Sequence, residues 1–167
     1  MKGAKQFIIG GQEVVRDPHH YRACGLDDVY LLNGFTVEET DYGRGVSVHN
    51  VEDLHCAIGL RLISDKKPLC AREFRFLRKQ MDFTQVQLGK RLRVDPQTVA
   101  RYEKDQTAIP GAADVVLRIL YAVHLIPEDK RMSILQELVE ELDDRDDIPS
   151  RAMYFRQTNH GWDQGIQ

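Results

Sequence analysis

The sequence predicts an α+β fold, in which a small N-terminal domain containing a β-hairpin is followed by an all-α domain of five helices. Two observations support this prediction. Short runs rich in β-branched and aromatic residues flank an Asn-Gly pair near residue 33, which is a hairpin signal. From residue 70 onward, apolar residues instead recur every three or four positions, which is the helical period. We divide the chain into an N-terminal arm (1–20), a small α+β domain (21–63), a linker (64–69), the helical domain (70–142) and an acidic, polar tail (143–167). Residues 151–167 of the tail could be disordered or could dock as a strand.

The hairpin turn is predicted at Asn33-Gly34, because both residue types tolerate the positive φ that a tight turn requires. Its strands would cover residues 29–32 and 35–40. The glycine-containing stretch 42–45 is expected to interrupt the β structure, and a third short strand is expected at 46–49.

One helix is expected before the helical domain, at residues 51–63, where apolar residues lie three or four positions apart. Pro68 disfavours a continuous helix, so the linker is placed at 64–69. The five helices of the helical domain are expected to start at Ala71, after Thr84, after Asp95, at Pro110 and at Pro127.

Charge is unevenly distributed along the chain, although the net charge is only −3. Residues 66–106 carry 11 Lys and Arg against 5 Asp and Glu, whereas residues 127–150 carry 3 against 9 and residues 1–65 carry 6 against 10. A basic segment between acidic flanks fits a protein whose middle meets nucleic-acid phosphates. A solvated helical face would have the same composition.

Composition and cysteine content favour a soluble globular protein without a disulfide scaffold. Hydrophobic and charged contents of 42% and 29% are typical of soluble globular proteins. No apolar run reaches the length of a membrane span, and the run at residues 7–9 is too short for a signal peptide. We therefore expect a cytoplasmic protein with no membrane partner. The three cysteines, Cys24, Cys56 and Cys70, form no CxxC pair and argue against a disulfide scaffold.

The centre of the helical domain has the features of two helices joined at a sharp angle. Only Arg93-Val94 separates the second helix from the third, apart from their flanking residues. Thr84 and Gln87 predict a capping box, and Gly89 is expected where the two helices approach closely. A shared core is expected from the apolar residues Phe74, Leu77, Leu88, Leu92, Val94, Val99 and Tyr102.

This segment resembles the Cro/CI-type (XRE-family) helix-turn-helix proteins over about a third of the chain. The resemblance implies a sequence-specific transcriptional regulator whose third helix (95–104) enters the major groove of double-stranded DNA. It also implies a homodimer on a pseudo-palindromic operator. The sequence shows no activated nucleophile with a base and an orienting third group, so no enzymatic activity is expected. The motif residues are Leu77-Arg78-Lys79, Thr84-Gln85, Leu88, Leu92, Val94, Thr98-Val99 and Tyr102-Glu103-Lys104.

The resemblance assigns roles to individual side chains. Gln97, Thr98 and Arg101 match the positions that face base edges, and their chemistry suits adenine, thymine and guanine. Gln85 matches a position that contacts phosphate and supports the recognition helix. Further phosphate contacts are expected from Lys79, Lys90, Arg91, Arg93 and Lys104. Among these, Arg93 stands at a turn position that usually holds glycine, so a left-handed conformation is expected to carry a modest energetic cost there.

The N-terminal domain vaguely resembles the zinc-bearing domain of MqsA-type antitoxin regulators, through Tyr21, Cys24-Gly25-Leu26 and Leu54-His55-Cys56. Structural zinc needs four ligands, normally in two close pairs. Cys24 stands alone, and His55 and Cys56 are adjacent and would point to different sides of a helix. We therefore expect no metal and no other cofactor.

Three biological roles remain open for such a chain. It could be a regulator acting alone, a sensor whose N-terminal domain binds a small ligand, or an antitoxin that binds a toxin through its N-terminal half and autoregulates its operon. The candidate dimer surface is the last helix, which could equally pack on its own domain. Its apolar residues are Leu135, Leu138, Val139 and Leu142.

Overall fold

The computed structural model describes residues 17–41, 43–65, 67–140 and 151–165. The chain divides into a first unit, residues 1–57 with 151–167, and a second unit, residues 58–150. The predicted arm up to residue 16, and Leu142, lie outside the described residues. In chain order the elements are β1 (His19–His20), β2 (Val29–Leu31), β3 (Phe35–Thr40), β4 (Gly43–Val48), α1 (Val51–Ser64), α2 (Ala71–Gln80), α3 (Gln85–Leu92), α4 (Pro96–Glu103), α5 (Gly111–Leu125), α6 (Glu128–Glu140), β5 (Met153–Thr158) and β6 (Gly161–Gln164).

The described part of the first unit contains two sheets. One has four strands in the order β1-β2-β5-β6, in which β2 pairs antiparallel with β1 and parallel with β5. The other is the two-stranded ribbon β3–β4, in which Thr40 lies opposite Gly43. The α+β class and the presence of a hairpin are thereby confirmed.

The predicted position of the hairpin turn is wrong. The hairpin joins β3 to β4, whereas Asn33-Gly34 carries the chain from one sheet to the other. Asn33 bonds both backbone groups of Gln157 through its side-chain amide, at 3.0 and 2.5 Å. Residues 43–45, expected to break the strand, belong to β4, because an exposed ribbon edge tolerates glycine.

The residues that the structure describes after position 150 dock as β-strands, which is one of the two arrangements left open from the sequence. Strands β5 and β6 complete the four-stranded sheet, and Met153, Phe155 and Trp162 are buried. The backbone N–H of Trp162 donates to Asp53 at 2.9 Å, and its indole N–H donates to the carbonyl of His49 at 3.1 Å. The end of the chain therefore supplies part of the core of the first unit.

The five predicted helices of the second unit are confirmed as α2 to α6, and α1, which begins in the first unit, ends in the second. Among the described residues, no helix is long and apolar enough to cross a membrane. Fully buried side chains at the centre of the second unit include Phe74, Leu77, Leu88, Leu117, Arg118 and Tyr121.

The segment predicted as a linker packs into the second unit. Arg118 is fully buried and donates to the carbonyls of Leu62 (2.6 Å), Asp65 (2.7 Å) and Lys67 (2.7 Å). Its partner Asp114 lies one turn earlier on α5, at 2.5 Å. The buried guanidinium therefore satisfies three backbone carbonyls at and after the end of α1, which would otherwise need other partners.

Candidate nucleic-acid interface

Helix α3 begins at a complete capping box. Thr84 accepts from the backbone N–H of Gln87 at 3.1 Å, and the Gln87 side chain accepts from the N–H of Thr84 at 2.8 Å. Two backbone donors that a helix start leaves open are thereby satisfied. At the start of α4, Asp95 is the N-cap and Pro96 the first helical residue, as predicted, although Asp95 makes no side-chain capping bond.

The turn between α3 and α4 depends on one residue in the left-handed conformation and on one glycine at which the backbone approaches closely. Arg93 adopts a left-handed conformation (φ 58°, ψ 38°), and its N–H donates to the carbonyl of Gly89. A Cβ on Gly89 would stand 2.7 Å from the carbonyl oxygen of Val94. Both positions match the sequence prediction, and together they fix the angle at which α4 leaves α3.

Helix α4 has a buried face and an outward face. Val99, Tyr102 and Glu103 are buried, whereas Gln97 and Arg101 are exposed. Thr98 is half-buried and borders an open cleft formed with Gly89, Lys90, Arg93, Val94 and Asp95. The proposed base-reading side chains are therefore available to a ligand, with Thr98 nearer to α3 than the other two.

A buried charge network holds α2, α3 and α4 together. Arg78 of α2 forms an ion pair with Glu103 of α4, whose carboxylate also accepts from the Gln85 side chain of α3 at 2.9 Å. Arg78 further donates to the carbonyl of Phe83 at 2.5 Å. The supporting role predicted for Gln85 is thus provided by this bond, and the roles of Arg78 and Glu103 were missed from the sequence.

The predicted phosphate-binding cations differ in their surroundings. Lys79, Lys90, Arg93 and Lys104 extend from the surface as exposed side chains. Arg91 is exposed as well, but its guanidinium lies 4.0 Å from the ring centre of Phe83 and donates to the carbonyl of Gln87 at 3.1 Å. Arg91 is therefore engaged with its own helix and the preceding loop.

The predicted dimer residues do not share one surface. Leu138 is buried within the second unit at 5% exposure, Leu135 is half-buried, and Val139 is 61% exposed. Helix α6 also exposes Met132 at 65%, which the sequence prediction did not include. Among the apolar residues of α6, Leu138 therefore packs within the second unit, whereas Met132 and Val139 face the solvent.

The side chains considered as zinc ligands, Cys24, His55 and Cys56, have other surroundings in the structure. Cys24 is partly buried and its thiol lies 3.5 Å from the carbonyl of Tyr21, while Cys56 is exposed. The ring Nε2 of His55 lies 3.0 Å from the Tyr21 hydroxyl. Burial raises the pKa of both thiols. Across the described ranges, no three His, Cys, Asp or Glu side chains are grouped so that they could hold a metal ion.

Comparison with known proteins identifies the segment that contains this surface. Residues 74–115 match the helix-turn-helix family model, from within α2 to the start of α5. Searches of curated proteins and of solved structures found no significant match to the chain. The matched residues include the capped α3, the left-handed turn and the outward face of α4. The second unit therefore contains a helix-turn-helix DNA-binding domain of the Cro/CI type.

Proposed function

We propose that the protein is a cytoplasmic transcriptional regulator that reads the major groove of double-stranded DNA with Gln97, Thr98 and Arg101 of α4. The outward position of Gln97 and Arg101 on a helix whose other face is locked by Glu103 carries this proposal. A rigid support matters because base discrimination requires side chains held at fixed positions. Exposed Lys79, Lys90, Arg93 and Lys104 would bind the flanking phosphates.

The proposed base contacts can be tested in two steps. Binding sites are selected from random DNA, and the affinities of two variants for the selected site are then measured. Arg101→Ala should cost about 1–3 kcal/mol on the selected site and relax preference at one base position. Lys90→Ala should weaken binding to all sequences alike and lower the salt dependence of log K by about 1. Unchanged specific binding by Arg101→Ala would rule out the proposed docking of α4.

We also propose that the protein binds as a homodimer, with recognition helices roughly 34 Å apart. Exposed apolar side chains on the last two helices support this: Val116 and Val123 on α5, and Met132 and Val139 on α6, are 37–65% exposed. Sedimentation of Met132→Glu/Val139→Glu should show monomers at concentrations where the unaltered chain is dimeric. Val37→Glu, an exposed apolar position in the first unit, is the matched control. A monomeric unaltered chain with full operator affinity would contradict the proposal.

A second candidate role is that of an antitoxin whose first unit binds a toxin. The ribbon β3–β4 favours it, because the cross-strand pair Val37 and Val46 is about 38–39% exposed on a ribbon whose other residues are mostly polar. Co-expression with the product of a neighbouring gene tests this role. Rescue of growth by the unaltered chain but not by Val46→Glu would support it, and absence of rescue by both would reject it.

A further inference from the structure

Helix α2 has a solvent face made only of cations. Its exposed residues are Arg72, Arg75 and Lys79, which are spaced three and four apart and therefore lie on one face. All other residues of α2 are buried, except the half-buried Gln80. Only Lys79 of this face was assigned a role from the sequence.

The acidic residues of the same region do not offset this charge. Between residues 71 and 104, eight cations are exposed, whereas two of the four carboxylates, Glu73 and Glu103, are buried in ion pairs with Lys67 and Arg78. Two exposed carboxylates, Asp82 and Asp95, remain. The surface of α2–α4 therefore has a large excess of positive charge, which attracts a polyanion.

Helix α2, which carries the cationic face, is bonded to the recognition helix through its buried side. Arg78, which directly precedes Lys79, binds Glu103 at the end of α4 through Nε and Nη2 of its guanidinium. Among the described residues, neither Arg75 nor Lys79 has an ion-pair partner within 4.0 Å. These two side chains can therefore exchange solvent for phosphate without first breaking a salt bridge.

We propose that the solvent face of α2, through Arg72 and Arg75 together with Lys79, binds a run of DNA phosphates beyond those reached by α3 and α4. The proposal rests on the proposed function of the helix-turn-helix domain, which it extends by a second backbone contact. Such contacts add affinity and fix the position of the protein on the duplex, and they carry no base specificity. Each neutralised phosphate contributes about 0.9 to the salt dependence of log K.

The test uses the full chain and the operator obtained by selection. The affinity is measured between about 50 and 300 mM KCl, because phosphate contacts determine how strongly the affinity falls with salt. Arg75→Gln should lower the salt slope by about 0.9 and Arg72→Gln/Arg75→Gln by about 1.8, with unchanged preference for the operator over random DNA. Lys130→Gln, an exposed cation on the acidic α6, is the matched control and should leave the slope unchanged. The double variant should also protect a shorter stretch of backbone from hydroxyl radicals.

The outcomes separate this proposal from the proposed function. Unchanged slope and footprint in the double variant, alongside a reduced slope in Lys90→Gln, would overturn the role of α2 and leave the domain's function intact. Absence of operator binding by the unaltered chain would overturn both. Circular dichroism of each variant confirms that the substituted surface residues leave the fold unchanged.

Discussion

Arg78 of α2 and Glu103 of α4 form a buried ion pair, and Gln85 of α3 donates to the same carboxylate. One carboxylate therefore joins three helices of the helix-turn-helix domain. Glu103 lies at the end of the recognition helix, so the position of α4 depends on charges that are inaccessible to solvent.

Glu103→Ala is expected to destabilise the second unit by about 3–5 kcal/mol, because it leaves the Arg78 guanidinium buried without its counter-ion. Urea unfolding followed by circular dichroism measures the loss. Lys104→Ala, at the neighbouring exposed position, should change the free energy of unfolding by no more than about 0.5 kcal/mol. Equal stability of the two variants would mean that the pair does not stabilise the fold.

Gly89→Ala is expected to destabilise the second unit by about 1–3 kcal/mol, because the added methyl would overlap the Val94 carbonyl at 2.7 Å. The overlap also pushes the start of α4 away from α3, so operator affinity should fall. Gly111→Ala is the matched control, since a Cβ there meets no atom within 4 Å. Removing a glycine lowers the backbone entropy of the unfolded chain and does not by itself destabilise the fold, so a similar loss of stability in both variants would contradict the steric explanation.

Two substitutions at Arg93 separate its backbone conformation from its charge. Arg93→Gly should raise the free energy of unfolding by about 0.5–1 kcal/mol, because glycine adopts φ 58° without steric cost. Arg93→Asn tolerates the same conformation and removes the same charge. Both variants should lower the salt slope of DNA binding by about 1. An unchanged slope in both would show that Arg93 does not contact phosphate.

The helix-turn-helix could be predicted from the sequence because its determinants are local. The capping box, the two-residue turn and the close approach at Gly89 each involve residues fewer than ten positions apart. The buried charges could have been suspected from one local signal, since Arg78 and Glu103 each stand four residues after a core residue, Phe74 or Val99. Which charge pairs with which depends on how the helices pack, and spacing alone does not give it.

The first unit was predicted poorly because its sheet is closed by distant residues. Strand β2 pairs with β5 across more than 120 residues, and Asn33 bonds Gln157 rather than forming a hairpin turn. Asn33-Gly34 satisfies the local rule for a hairpin, but its amide has a partner that no local pattern includes. The packing of the segment predicted as a linker could not be foreseen for a similar reason, since Arg118 lies some fifty residues beyond the carbonyls it binds.

Gly34→Ala is expected to unfold or severely destabilise the first unit. Gly34 has φ 74°, and a Cβ there would lie 2.5 Å from the ring of Trp162. Trp162 is the single tryptophan of the chain, so its fluorescence reports on this unit. Gly25→Ala, with φ 84° and open space around it, measures the conformational cost alone and should lose about 1–2 kcal/mol. Similar losses of stability in both variants would show that the contact with Trp162 does not account for the effect of Gly34→Ala.

The first unit is also expected to lose stability as the pH falls below about 6.5, the ordinary pKa of histidine. Burial lowers the pKa of His55, whose Nε2 lies 3.0 Å from the buried Tyr21 hydroxyl. The unfolded chain therefore takes up a proton in this range that the folded chain resists, so falling pH favours unfolding, whereas above about 6.5 the contribution of His55 is constant. His55→Gln should flatten the dependence between pH 7 and 5, measured by urea unfolding with Trp162 fluorescence. Parallel curves for the two proteins would exclude His55 as a source of the pH dependence.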